Sequence, residues 1–154
     1  PLASILRKEV KQMKKKNLLL AIAPTIAIVF AADPNGVTMK WGKRMADGSM
    51  GFVEKYCSFF NPIAAAYGDV APFLTAVLSV VLLAMCLACI FTKKVYLATK
   101  IIASLAFVSS VVALATAAFI LSYASIPGVI ITIALGSEAI LAFSMLSAKH
   151  AKQI

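Results

Sequence analysis

The chain has 154 residues, of which 62% are hydrophobic and 14% are charged, and its mean hydropathy is +0.94. Soluble domains have roughly 45–50% apolar and about 25% charged residues, so this composition excludes an ordinary soluble protein. The net charge of +9 does not indicate nucleic-acid binding here, because the basic residues are not interleaved with aromatic ones as in a nucleic-acid groove. The sequence therefore predicts a single-domain integral membrane protein.

Residues 1–16 combine apolar and basic side chains at helical spacing. Apolar residues share one predicted face that Glu9 interrupts, and basic residues lie opposite: Leu2, Ile5, Leu6, Val10 and Met13 against Arg7, Lys8, Lys11 and Lys14. This pattern predicts an amphipathic helix in the cytoplasmic interface of the membrane. The alternative is a solvated basic tail.

Residues 17–154 are predicted to form the membrane domain, because four of their segments approach the 17–25 residues that a spanning helix needs. These segments are residues 18–32, 70–92, 96–123 and 126–146. The first is short and contains Pro24, and it also resembles a secretory signal that begins at Met13. We interpret it as an uncleaved span. The predicted fold class is an all-α integral membrane protein, a four-transmembrane-helix bundle with an N-terminal amphipathic interfacial helix and a short structured extracellular loop at 33–69.

The distribution of lysine and arginine predicts the orientation, because basic residues near span ends stay on the cytoplasmic side. Eleven of the fifteen basic residues flank the spans on one side: Arg7, Lys8, Lys11, Lys14, Lys15, Lys16, Lys93, Lys94, Lys100, Lys149 and Lys152. We predict a multi-pass protein of the cell membrane with both termini in the cytoplasm. Anionic lipid is the expected partner of this basic face.

The outer loop carries turn and strand signals. Asp33-Pro34-Asn35-Gly36 predicts a turn in which the glycine tolerates a positive φ, and the alternation that follows it predicts a small hairpin. Asn61-Pro62 predicts the start of a short interfacial helix at residues 63–67. Aromatic residues of the loop are interpreted either as a belt at the outer membrane surface or as contacts to a partner protein: Trp41, Tyr56, Phe59, Phe60 and Tyr67.

The sequence offers few groups for catalysis. Cys57 is alone in the outer loop, where it either cross-links to another chain or stays a buried thiol, and Cys86 and Cys89 are interpreted as packing thiols. The chain's one histidine, His150, cannot build a catalytic triad or a multi-histidine metal site. We expect no enzymatic activity, no cofactor and no metal site.

Small residues recur every four positions in the third and fourth spans, which favours close approach of helix backbones. These packing candidates are Ser109, Ala113 and Ala117, and Gly128, Thr132 and Gly136. Glu138 is the candidate functional acid. It lies about 200° around the helix from Gly136, and it is therefore expected to face a different helix, a neighbouring subunit or a cavity.

A carboxylate at the membrane centre costs about 2.5–3.5 kcal/mol on insertion scales, so Glu138 needs a partner, a proton or water. Because no lysine or arginine lies at this depth, the predicted donors are hydroxyls, and the carboxyl is expected to be protonated. The candidate donors are Ser79, Ser109, Ser110 and Thr116.

The order of one span, an outer segment and three more spans is similar to that of claudin-like tetraspans, whose loop pattern is met here by Trp41-Gly42 and one cysteine. It also resembles permease subunits of the macrolide-exporter type, which have an amphipathic entry helix. The resemblance is one of topology, and no residue role follows from it. Two hypotheses remain: a non-catalytic membrane subunit or scaffold that contacts a membrane protein partner or a second copy, and a small transporter or channel component that binds a proton or cation at Glu138.

Overall fold

A computed structural model of the chain describes residues 18–62, 69–92, 94–120 and 125–147. The predicted helix at residues 1–16 and the predicted interfacial helix at residues 63–67 lie outside these ranges. The elements, in chain order, are helix α1 (Ile22–Ala31), strands β1 (Val37–Arg44) and β2 (Met50–Cys57), and helices α2 (Ala71–Phe91), α3 (Tyr96–Ile120) and α4 (Ile126–Ser147).

Helices α2, α3 and α4 contain 21, 25 and 22 residues. In the part of the chain that the structure describes, these three are long and apolar enough to cross a membrane. Many of their large apolar side chains point outward, including Leu97 at 70% exposure and Ile133 at 67%. A surface of this kind is stable against lipid and not against water, so the helices indicate a membrane-associated bundle.

Helix α1 is shorter than the predicted first span. It contains 10 residues and is therefore only about 15 Å long. Leu18 and Leu19 are also helical, and a turn at residues 20–21 separates them from α1. Pro24 has no N–H to donate to the carbonyl of Leu20, so the helix is interrupted at this point, and the Ala21 amide donates to the Leu18 carbonyl at 3.1 Å. The structure thus shows three long apolar helices and one short one.

The four helices pack as a ring. Helix α1 contacts α2 and α4, and α3 contacts the same two helices from the other side. The chain runs alternately up and down, so the α1–β1 and α3–α4 connections meet at one end of the bundle, together with the start of α2. We call this the hairpin end. The α2–α3 connection, with Lys94, lies at the opposite end.

The predicted hairpin is confirmed. Strands β1 and β2 pair antiparallel from Val37↔Cys57 to Arg44↔Met50. At the tip, Asp47 Oδ1 accepts hydrogen bonds from the Ser49 amide (3.0 Å) and hydroxyl (2.6 Å). Gly48 lies between them with φ at +83°, a left-handed conformation that favours glycine.

Phe59 fastens the hairpin to the bundle. Its amide donates to the Ala31 carbonyl at 3.0 Å, and its side chain is 4% exposed. A Cβ on Gly36 would lie 2.9 Å from the Phe59 ring. The predicted turn at residues 33–36 is present, with the Gly36 amide donating to the Asp33 carbonyl. Gly36 does not have the expected positive φ; it is needed because the Phe59 ring occupies the space of a side chain.

Candidate functional site

Glu138 lies in the interior of the bundle and is 0% exposed. The Cys86 thiol of α2 donates a hydrogen bond to Glu138 Oε1 at 3.4 Å. Since α2 and α4 are not neighbours in the ring, the glutamate side chain reaches across the bundle interior. The predicted separation from the small-residue face is confirmed, but the predicted hydroxyl donors are wrong: the hydrogen-bond donor is a thiol.

The second carboxyl oxygen of Glu138 has no hydrogen-bond partner and is closed off from solvent. An unsatisfied buried polar atom costs about 1–3 kcal/mol, and each such atom in a folded protein calls for an explanation, such as a functional role or an unseen water or ion. The carboxyl is therefore only half satisfied by the surrounding protein.

Cys89 lies one helical turn after Cys86 and is 2% exposed. Its sulfur lies 3.2 Å from the Thr99 hydroxyl oxygen of α3, and that hydroxyl donates to the Val95 carbonyl at 2.8 Å. Both cysteines are free thiols. Among the residues that the structure describes, no three histidine, cysteine or acidic side chains are grouped to hold a metal ion.

Hydroxyl groups lie on the face of α2 that points into the bundle, toward the hairpin end. Thr75 donates to the Ala71 carbonyl at 2.8 Å and lies 3.0 Å from the Ser109 hydroxyl of α3. Ser109 in turn donates to the Ala71 carbonyl at 3.1 Å, and Ser79 donates to the Thr75 carbonyl at 2.8 Å. The packing candidate Ser109 therefore faces α2.

Two of the three packing candidates in α4 face α3. A Cβ on Gly136 would lie 2.9 Å from the Phe107 ring of α3. A Cβ on Gly128 would first meet the Ser125 hydroxyl oxygen at 2.9 Å, then the Phe59 ring at 3.7 Å and Leu114 of α3 at 3.8 Å. Thr132 donates to the Gly128 carbonyl at 2.9 Å, and its hydroxyl also lies 3.4 Å from the Ser110 carbonyl of α3. Gly136 and Thr132 thus lie at the contact with α3, whereas Gly128 lies at the hairpin end beside Ser125 and Phe59.

A cavity of about 20 Å³ lies at the hairpin end between β1 and the ends of α2, α3 and α4. This volume is enough for about one water molecule. Two packing candidates, Ala113 and Ala117, line the cavity together with Asp69, Pro72 and Ser125. Ser125 also donates to the Gly36 carbonyl and accepts from the Gly128 amide, so it caps α4 and holds the turn before β1.

Asp69 is half-buried beside this cavity. Burial raises the pKa of its carboxyl above the ordinary value of 3.8, and a hydrogen bond from the Ala71 amide opposes this shift. Asp69 is thus the acidic group of the cavity.

The outer-loop candidates occupy different environments. Tyr56 is 49% exposed, and its hydroxyl donates to Glu54 at 2.9 Å. Phe60 packs partly against the core, and Phe59 is buried there. Phe59 is therefore not an exposed contact, because its ring fills the junction between hairpin and bundle. The Trp41 side chain and Tyr67 lie outside the part of the chain that the structure describes.

Sequence reasoning missed the residues that join separate elements. Cys86 and Phe107 are ordinary core residues in the sequence, and their partners are 52 and 29 positions away along the chain. In the sequence, Cys86 and Glu138 lie at similar distances from the ends of their predicted spans. This spacing is the one signal that places the two residues at a similar depth in the membrane. Exposed Met50 and Phe52, at 76% and 79%, were also not singled out.

These features define a membrane-associated helical bundle with an exposed hairpin at one end and a buried acid in its interior. No family model matches the sequence, and no curated protein or solved structure is significantly similar to it.

Proposed function

We propose that the chain is a non-catalytic subunit or scaffold of a membrane protein complex, with four spans in the cell membrane and both termini in the cytoplasm. Helix α1 and the residues before it supply the first of these spans, and α2, α3 and α4 supply the other three. The alternating direction of the helices supports this topology, since the start of α1 and the end of α4 lie at the end opposite the hairpin. The basic residues Lys94 and Lys100 also belong to that end, as expected for a cytoplasmic face.

The observation that carries the proposal is the exposed apolar surface of the hairpin. Met50 and Phe52 lie two positions apart on β2, and more than three quarters of each side chain is exposed. In the described residues the sheet has two strands, and a sheet of this size adds little stability by itself. A partner that covers Met50 and Phe52 would remove apolar surface from water and stabilise the hairpin.

The experiment compares the parent with Phe52→Ser after extraction from cells in mild detergent. We expect the parent to elute as a complex larger than one chain, and Phe52→Ser to release the partner without unfolding. Val70→Ser is the matched control, because Val70 is 53% exposed at the same end but outside the hairpin. A parent that elutes as a lone chain, or a complex that survives Phe52→Ser, would contradict the proposal.

A second candidate is a small transporter or channel component that binds a proton or cation at Glu138. The observation that favours it is the unpartnered Oε2 of a carboxyl that crosses the bundle interior. A purely structural acid would be expected to have both oxygens satisfied. Intramembrane acids are, moreover, functional by default.

Two substitutions separate the candidates. Glu138→Gln keeps an acceptor for the Cys86 thiol, so a structural role predicts normal folding and normal complex formation. Glu138→Leu loses that hydrogen bond and should cost about 0.5–1.5 kcal/mol of stability. A proton or cation carrier instead predicts that Glu138→Gln folds normally and abolishes flux in proteoliposomes. A folded Gln variant with full flux would remove the transport candidate.

A further inference from the structure

The interior face of α2 is polar along most of its length. Five residues at spacings of four and three lie on one face and are at most 2% exposed: Thr75, Ser79, Leu82, Cys86 and Cys89. Spacings of four and three place side chains above one another on a helix. We call these five residues the α2 stripe. Four of them carry a hydroxyl or a thiol, in a helix that is otherwise almost entirely apolar.

The stripe connects the two unusual features of the bundle. Its first member, Thr75, lies one turn after Pro72, which lines the cavity at the hairpin end. Its fourth member, Cys86, donates to Glu138. From Thr75 to Cys86 the distance along the helix axis is about 16 Å. The cavity and the buried acid are thus linked by one face of one helix.

Leu82 is the one apolar residue of the α2 stripe and interrupts its series of polar groups. It is 0% exposed and lies midway between Ser79 and Cys86, which are about 10 Å apart along the axis. An apolar side chain at this position keeps water away from Glu138, in agreement with the closed surroundings of Oε2. Hydrophobic constrictions of this kind gate channels by dewetting.

Helix packing alone accounts for part of this pattern. The hydroxyls of Thr75 and Ser79 donate to carbonyls of their own helix, as they commonly do in membrane helices. Packing does not account for an acid that faces the stripe with one oxygen unpartnered. The combination of stripe, cavity and unsatisfied carboxyl is the reason to consider a pathway.

We propose that protons reach Glu138 from the hairpin end along the α2 stripe, with Leu82 as the hydrophobic gate. This inference rests on the second candidate function. When water enters past Leu82, a hydronium ion gives its proton to the Glu138 carboxylate, which leaves water and a neutral carboxyl. On release, a water molecule toward the opposite end takes the proton and the carboxylate returns. No electrons are transferred.

Of the other titratable groups near this route, the Cys86 thiol donates to Glu138, whereas Cys89 and Lys100 lie toward the end opposite the cavity. Cys89 of α2 contacts Thr99, and the Lys100 ammonium of α3 lies 5.6 Å from the centroid of the Phe143 ring of α4. Asp69 lies at the cavity. In this arrangement Glu138 is the acid that takes up the proton, and Asp69 raises the local proton concentration at the entrance.

The test uses the full chain in liposomes that contain a pH-sensitive dye, with a potassium diffusion potential to drive protons inward. We expect Leu82→Ser to raise the proton flux by about tenfold or more, because a polar gate residue favours wetting of the constriction. Leu82→Ala should raise it less. Leu87→Ser is the matched control, since Leu87 is 42% exposed and lies off the stripe; its flux should equal that of the parent.

Two further variants establish the route. Adding Glu138→Gln to Leu82→Ser should return the flux to the liposome background, and adding Thr75→Val should lower it severalfold while keeping the shape of the side chain. Circular dichroism and a monodisperse elution profile check that each variant is folded. If Leu82→Ser is misfolded, the same comparisons are made in Leu82→Ala.

The outcomes separate the route from the function. If Glu138→Gln abolishes parent flux while the Leu82 and Thr75 variants have no effect, the route is wrong and the transport candidate stands. If folded parent and Leu82 variants are all proton-tight, the route is wrong and Glu138 does not carry protons. If flux through Leu82→Ser survives Glu138→Gln, protons do not pass the acid and the proposal fails.

Discussion

Glu138 shows how a carboxyl side chain differs in its role according to its depth in the bundle. Of the acids in the described residues, it is fully buried with a thiol partner, whereas Asp69 is half-buried at the hairpin end and Asp47 is exposed at the hairpin tip. The environment of each carboxyl, and not its chemistry, decides what it contributes.

Asp69 gives a prediction about pH. Because burial raises the pKa of its carboxyl above 3.8, its contribution to stability is fully present below that value and is lost as the pH rises through the folded-state pKa. Asp69→Asn removes the charge and keeps nearly the same shape of side chain. We expect it to be more stable than the parent at pH 7, by less than about 1 kcal/mol because solvent screens a half-exposed group. The difference should disappear at pH 3.5, as measured by thermal unfolding in detergent.

Asp47 is the control for that experiment. Hydrogen bonds from the Ser49 hydroxyl and amide lower the pKa of its carboxyl, so its contribution to stability is present above pH 3.8 and is lost as the pH falls. The effect of Asp47→Asn should therefore have the opposite sign at pH 7. The same pH response in both variants would contradict the assignment of the Asp69 shift to burial.

At the scale of elements, helix α4 has two faces with different tasks. Thr132 and Gly136 lie against α3, and Glu138 points from a different side toward α2. Both contacts form only when α4 has one particular rotation about its own axis. Small shifts of α4 would move the carboxyl relative to the α2 stripe.

Gly136→Leu tests the packing face. Its side chain would collide with the Phe107 ring, which lies 2.9 Å from the position of a Cβ, and overpacking typically costs about 1–3 kcal/mol. We expect a lower yield and a lower melting temperature in detergent. Ile140→Ala is the control, because Ile140 is 72% exposed and its truncation should have little effect. The reverse result would mean that α4 packs by another face.

The hairpin tip depends on one backbone conformation. Gly48 has a φ of +83°, so Gly48→Ala places a side chain in the left-handed region at a cost of about 1–2 kcal/mol. Gly42→Ala should be tolerated, because among the described side chains its Cβ would meet Met50 at an ordinary 3.7 Å. Thermal unfolding in detergent, followed by circular dichroism, measures the two effects. Equal effects of the two substitutions would count against the turn geometry.

For the whole molecule, the hairpin and the α2–α3 connection lie at opposite ends of the bundle. This arrangement fixes them on opposite sides of any membrane that the helices cross. The basic residues decide which side is which. The proposed orientation places the hairpin outside the cell.

Cysteine labelling tests this orientation. A membrane-impermeant maleimide should label Ser49→Cys in intact cells, whereas Lys94→Cys and Lys149→Cys should need permeabilisation. The native cysteines give a low background, since Cys57, Cys86 and Cys89 are at most 4% exposed and burial raises the pKa of the Cys57 thiol, which lowers its thiolate fraction. Labelling of Lys94→Cys in intact cells would reverse the orientation.

The sequence by itself determined the class of protein and the bounds of most elements. Long apolar segments predict residues 70–92, 96–123 and 126–146, and helices α2, α3 and α4 occupy nearly the same positions. Alternation and turn residues predict the hairpin. These features depend on local periodicity and on hydrophobicity over about 20 residues, which a single sequence contains.

Only the tertiary structure decided which side chains meet. The thiol at Glu138, the ring at Gly136 and the burial of Phe59 depend on the rotation and depth of helices that are distant in sequence. The outer face of a membrane helix contacts lipid and is as apolar as its inner face. Hydrophobic periodicity is therefore a weak guide to how the helix is rotated about its axis. The packing of small residues and polar groups sets it, and the neighbours of the buried acid follow from that packing.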